Sequence, residues 1–185
     1  MKRALIFVFC MLLCLAACTK PAPQAEPTTT PAAEATAVPT DAPTEAPAEQ
    51  HDLVFSGKTL DETPIDSGML KDYDLVIVNC WAEWCGPCVG ELAALEQIHQ
   101  EYPNVLILGV LVATYSLEEA MATLAGKGVT YPTLEPCGTL ADYSERSMYI
   151  PATYFFDKNG DEIGEPIVGG QTYEQWKEVV DNLLG

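Results

Sequence analysis

Basic residues are scarce in this chain. Nine Lys or Arg stand against 27 Asp or Glu, a formal net charge of −18 over 185 residues. Such acidity repels phosphates, which argues against nucleic acid or anionic lipid headgroups as partners. Histidine is scarce too: His51 and His99 lie outside any CxH or HxxxH pattern, so neither reads as a metal ligand. No uncharged apolar run reaches the roughly 20 residues that a helix needs to span a bilayer. A second CxxC or CxxH is missing, so a structural zinc site would lack two of its four ligands. There is no dinucleotide or flavin motif, no PxxxTxxC peroxidatic motif and no internal repeat. No cofactor is expected.

What is present divides the chain in three. Residues 1–17 read as an export leader: Lys2 and Arg3, then an uncharged apolar run from Ala4 to Ala17 with small residues at its end. Leu15-Ala16-Ala17-Cys18 resembles a bacterial lipobox. That resemblance implies cleavage before Cys18 and lipid on its thiol and on the new amino terminus. Several acyl chains hold where one is marginal. The competing reading is an ordinary secretory leader with a chance cysteine. Residues 18–50 are mostly Pro, Ala, Thr and Glu, with Val38 the sole branched aliphatic residue beyond Cys18. They cannot bury enough apolar surface to offset chain entropy, and read as an extended, disordered tether. Residues 51–185 suffice for one domain. They hold 22 Asp or Glu against 6 Lys or Arg, a net −16. That excess reads first as a solvated surface and second as a preference for a basic partner.

Within the domain, Leu53–Phe55 and a segment from Leu60 are expected to form a hairpin around a Gly57-Lys58 turn, and 66–70 a helical turn. Leu75–Trp81 and Val105–Val112 are continuous, β-branched and uncharged, the pattern of buried strands. Between them a helix is expected from Gly86-Pro87 to about Tyr102, with Leu92, Leu95, Ile98 and Tyr102 on its apolar face. Further helices are expected over Leu117–Ala125, ending at Gly126, and over Thr139–Glu145, with Thr139 a candidate cap. Ala152–Phe156 is a third strand, turning at Asp157-Lys158-Asn159-Gly160 into a partner over Glu162–Val168. Thr172 caps a last helix with Tyr173, Trp176, Val179, Val180 and Leu183 in its stripe. A βαβ unit followed by ββα predicts an α/β, three-layer sandwich: one mixed central sheet with helices on both faces.

On that reading Cys10 and Cys14 leave with the leader and Cys18 carries the lipid, so the domain keeps Cys80, Cys85, Cys88 and Cys137. Outside the cytoplasm thiols form disulfides. Cys85 precedes a helix, where unsatisfied amide N–H groups and the helix dipole favour thiolate, the attacking species in disulfide exchange. Pro87 suits a first helical turn, where its missing N–H costs nothing. Two intervening residues bring Cys88 within bonding range, so it can resolve a mixed disulfide. An inert structural disulfide and half a zinc site are the competing readings.

Trp81-Ala82-Glu83-Trp84-Cys85-Gly86-Pro87-Cys88 resembles the active-site segment of thioredoxins. With the lipobox, the tether and the N-terminal hairpin, the chain resembles the TlpA/ResA-type membrane-anchored thiol–disulfide oxidoreductases. The resemblance implies a thioredoxin-like fold, an exposed nucleophile at Cys85 and a buried resolving Cys88. It also implies electron transfer to disulfides of exported proteins, supplied by a membrane thiol donor, from a monomer. Trp84, Gly86 and Pro87 become substrate-facing. Ile150-Pro151 becomes the cis-proline segment, its backbone turned toward an extended substrate.

The chain departs from thioredoxins at Asn79, which replaces a buried, titrating Asp. Glu91, three residues past Cys88, is then a candidate for proton transfer, though its first reading is a solvated helix residue. Cys80 reads as a small buried group and Cys137 as an incidental thiol in a turn. Gly86-Pro87 matches reducing members of the superfamily, so protein-disulfide reduction is expected. An oxidant that forms disulfides and a non-catalytic binding lipoprotein are the alternatives.

Overall fold

A computed structural model describes residues 52–185. The leader, Cys18 and the tether lie outside the described residues. Two strands carry the fold because their sequences leave no polar face. β3 (Leu75–Trp81) and β4 (Val105–Leu111) are buried at every position and pair in parallel, Leu75 with Val105 through Trp81 with Leu111. β6 (Ala152–Phe156) pairs antiparallel with β3, on the side away from β4. Short strands finish the edges: β5 (Thr133–Leu134) parallel to β4, and β7 (Ile167–Val168) antiparallel to β6. The five-stranded mixed sheet runs β5-β4-β3-β6-β7.

Helices α1 (Gly86–Glu101) and α4 (Tyr173–Leu184) cover one face. Leu95, Ile98, Trp176 and Val180 there meet Leu75, Ile77, Ile107 and Phe155. The other face takes α3 (Thr139–Arg146), a 3-10 segment (Ser67–Asp72) and residues 53–55; Leu140, Tyr143, Leu70, Leu53 and Phe55 meet Val76, Val78 and Leu108. Helix α2 (Leu117–Lys127) puts Ala120 and Leu124 beside Trp81 and Leu111. This is a mixed central sheet with helices on both faces, as expected. No helix among the described residues is long and apolar enough to cross a membrane.

The structure corrects several local expectations. The hairpin strands are β1 (Ser56–Lys58) and β2 (Pro64–Asp66), so Gly57-Lys58 lies inside a strand and the turn falls at 59–63. Leu53 and Phe55 fill the core under α3 but form no strand, because the backbone of 53–55 bonds to Gly160, Ser67 and Thr139 instead. The expected partner over Glu162–Val168 shrinks to Ile167–Val168, preceded by Gly164 at φ 67° and by Pro166, with an isolated bridge at Glu162. Helix α2 runs past Gly126 to Lys127, and Gly128, at φ 72°, is its left-handed cap. Thr139 is the first residue of α3, not its cap; its hydroxyl accepts from Val54 N–H at 2.8 Å instead.

Candidate functional site

The candidate site forms where β3 ends and α1 begins. After Trp81 the chain makes one tight turn, Cys85 N–H bonding back to Ala82 carbonyl at 3.2 Å, and α1 starts at Gly86 with Pro87 in its first turn. Cys85 is thereby the N-cap, and the Cys88 backbone N–H points at its Sγ at 3.3 Å. Cys85 and Cys88 are joined as a disulfide, their Cα atoms 5.3 Å apart. Cys85 is less open than the resemblance implied, with 7% exposure, because the turn and the Ile150 loop cover it; Cys88 has none, so the two sulfurs are not equivalent. A first-turn N–H aimed at the outer sulfur, with the helix dipole behind it, favours negative charge there once the bond is opened.

The loop before β6 closes over this turn. The Ile150–Pro151 peptide bond is cis, as the sequence suggested, and Ile150 carbonyl oxygen lies 3.6 Å from Cys85 Sγ. Trp84 stands half-exposed beside Cys85. Cys85, Cys88, Trp84, Gly86, Pro87, Ile150 and Pro151 thus share one end of the sheet.

Glu91 overturns its first reading as a solvated residue: it is only 2% exposed. One carboxylate oxygen accepts from Asn79 Nδ2 and the other from Gln171 N–H, each at 2.9 Å. Asn79 Nδ2 also donates to Thr153 Oγ1 at 2.9 Å, on the residue pair Asn79–Thr153 that β3 and β6 place side by side. Burial pushes the Glu91 carboxyl up to about 7, against the opposing pull of Gln171 N–H and the Asn79 amide. A carboxyl one turn past Cys88 therefore exchanges its proton near neutral pH.

The loop 169–171 ties these pieces together. Gly169 N–H donates to Pro151 carbonyl at 2.9 Å and Gln171 N–H to Glu91. Between them Gly170 lies so close to the CxxC turn that a Cβ would come within 2.9 Å of Pro87 carbonyl oxygen. Sequence reasoning took Gly169-Gly170 only as a chain break and missed the hydrogen-bonding roles of Asn79, Thr153 and Gln171. A signal for Glu91 existed: with Cys88, Leu92 and Leu95 it falls at helical spacing on the buried face.

Cys80 and Cys137 take no part. Cys80 points to the α3 face, where burial pushes its thiol up to about 12. Cys137 packs its Sγ against Gly57, and burial raises its thiol against a Ser56 N–H bond that lowers it. Among the described residues no group of three or more His, Cys, Asp or Glu is arranged to hold a metal.

Three comparisons bear on this geometry. A model of the AhpC/TSA family matches residues 48–161. The chain is similar to the thioredoxin-like protein YneN of Bacillus subtilis, 32% identical over 110 residues that cover 57% of this chain and 63% of that protein. It is similar also to the thiol-disulfide oxidoreductase ResA of Oceanobacillus iheyensis, 26% identical over 58% of this chain and 56% of the relative. The chain thus spans under two thirds of either relative's length. Among solved structures, a thiol:disulfide interchange protein of the thioredoxin family from Chlorobium tepidum superposes with a TM-score of 0.62 at 26% identity. That match covers 71% of this chain and 94% of the other, and it shows a thioredoxin-like fold.

Proposed function

This chain belongs to the AhpC/TSA family, and we propose that it is an extracytoplasmic thiol–disulfide oxidoreductase, anchored by lipid on Cys18, that reduces disulfides of exported proteins through Cys85 and Cys88. One observation carries the chemistry: the two cysteines are paired at the N-terminus of α1, with the Cys88 N–H aimed at the more accessible Cys85 Sγ and the Ile150 carbonyl beside it. The resemblance to TlpA/ResA-type proteins supports the same chemistry. The leader, the lipobox-like Leu15-Ala16-Ala17-Cys18 and the tether support the location.

In the reduced protein, the Cys85 thiolate attacks one sulfur of a substrate disulfide. A mixed disulfide forms and the other substrate sulfur leaves as thiolate. Trp84, Gly86, Pro87 and Pro151 face the substrate, and the Ile150 backbone pairs with an extended segment of it. Cys88 then loses its proton and attacks Cys85 Sγ; the Cys85–Cys88 bond re-forms and the second substrate thiolate departs. Two electrons have passed from the pair to the substrate, and a membrane thiol donor returns them. Glu91 takes the Cys88 proton, a task for which a carboxyl near 7 is suited.

The test is a redox titration of the full-length chain by Trp fluorescence in glutathione or dithiothreitol buffers. A two-electron transition near about −250 mV or below supports reduction of substrates. A value near about −120 mV reverses the direction of electron flow, and no transition removes the catalytic reading.

A further inference from the structure

Beside Cys85 the surface carries a feature that folding does not explain. Tyr115 is 84% exposed and Trp84 48%, their ring centroids 6.0 Å apart and their planes tilted by 38°. An aromatic side chain left this open gains little from burial, yet its backbone is held in place. Glu83 Oε1 accepts from Tyr115 N–H at 2.7 Å and from Thr114 Oγ1 at 3.0 Å. Glu83 Oε2 is shut off from solvent and has no hydrogen-bond partner, so this carboxylate acts on the groove through its charge. Trp84, Tyr115, Glu83 and Glu119 line one open groove of about 430 Å³, together with Ala122 and Thr123. Among the described residues no Lys or Arg forms an ion pair with either carboxylate.

Two π faces and two carboxylates are the chemistry that receives a cation. The groove begins at the residue next to Cys85, within reach of a side chain flanking a disulfide docked there. We propose that this groove seats a Lys or Arg side chain adjacent to the reacting cysteine of the substrate, so that the protein selects disulfides in basic sequence surroundings. Glu119 and the two rings contact the cation. Glu83 adds charge and acts as a positioning residue, holding the 114–115 backbone that carries Tyr115. The selection rests on the function proposed above and names its substrate class.

The test uses the full-length chain, reduced beforehand, and two synthetic peptides with one internal disulfide that differ only in Lys or Glu before the first cysteine. Each rate is divided by the rate on hydroxyethyl disulfide, which offers nothing to the groove. The Lys peptide is expected to react on the order of tenfold faster than the Glu peptide at low salt, with the ratio shrinking at about 1 M salt. Glu119→Lys should erase or invert the preference, and Tyr115→Ala should lower it severalfold. Glu178→Lys, an equal charge change on the exposed face of α4, should leave it standing. Equal rates for both peptides in the wild type, or an equal loss in Glu119→Lys and Glu178→Lys, would overturn the groove and assign any preference to overall charge. No reaction even with hydroxyethyl disulfide would instead sink the oxidoreductase itself.

Discussion

The two faces of the central sheet are built by the same strands and bury different things. Along β3, Val76, Val78 and Cys80 enter the core beneath α3, while Leu75, Ile77, Asn79 and Trp81 point toward the α1 side. The α3 face is apolar and aromatic throughout: Tyr143 meets Phe156 and Tyr154 edge-on, with centroids 4.9 and 5.1 Å apart. The α1 face is equally apolar at its base but admits a carboxyl, an amide and a hydroxyl at the end where α1 begins. A thiol on the first face, Cys80, is held protonated by its surroundings. A sulfur on the second, Cys85, faces the amide N–H of Cys88, three residues later in the chain. Residue type is the same; neighbours decide whether sulfur is filler or reagent.

The sharpest break of this comparison is to remove each sulfur in turn. Cys85→Ser should cut dithiothreitol-driven insulin reduction by on the order of 10³ or more, whereas Cys80→Ala should leave it within about twofold. A large loss from Cys80→Ala would mean that the α3 face is part of the site. Next in size is packing on the quiet face. Leu108→Ala, at a fully buried position, should lower unfolding free energy by about 3 kcal/mol while leaving the redox midpoint in place. Denaturant titration and a glutathione-buffer titration read the two quantities separately.

Glu91 gives the pH signature of the other face. Its folded-state carboxyl sits near 7, above its ordinary 4.5, so the folded protein holds this proton more tightly than the unfolded chain does. The contribution to stability is full below about 4.5, declines as pH rises toward 7 and is gone above it. From pH 5 to 8 the wild type should lose roughly 2 kcal/mol through this group, and Glu91→Gln should flatten that slope. A variant with the wild-type slope would place the titration elsewhere. If Glu91 also takes the Cys88 proton, Glu91→Gln will slow substrate release from the mixed disulfide most strongly near neutral pH, in stopped-flow turnover. The smallest effect is expected from Cys80→Ala on stability, below about 1.5 kcal/mol, since a small buried group is exchanged for one slightly smaller.

The parts of the fold that could be read from sequence are those whose pattern is local. β3 and β4 are seven-residue runs without a charge, and α4 carries a capping box, Thr172 with Gln175, ahead of its apolar stripe. The CxxC turn was legible because strand, turn residues and helix start are contiguous. The edges were not. β5 is two residues long after Pro132 and exists only because Gly109 and Val110 offer a parallel partner. Leu53–Phe55 has a strand's composition, but its backbone bonds to Gly160, Ser67 and Thr139, in a turn and at two helix starts, and so joins no ladder.

The candidate site divides the same way. Cys85, Cys88 and the Ile150-Pro151 step were named from short strings of residues, because helix-start chemistry and family motif are properties of neighbours in sequence. The state of Glu91 was not: its helical spacing marked the buried face, but its donors come from other segments of the chain. Asn79 lies 12 residues away, Gln171 lies 80, and Thr153 reaches it through Asn79 across 74. The meeting of Glu83 with Tyr115 spans 32 residues and depends on β3 and β4 ending side by side. Local chemistry was enough to single out the candidate pair of sulfurs. Only the packed sheet and helices set the proton affinity beneath them and the charged groove beside them, because desolvation and hydrogen bonding depend on which distant segments share a volume.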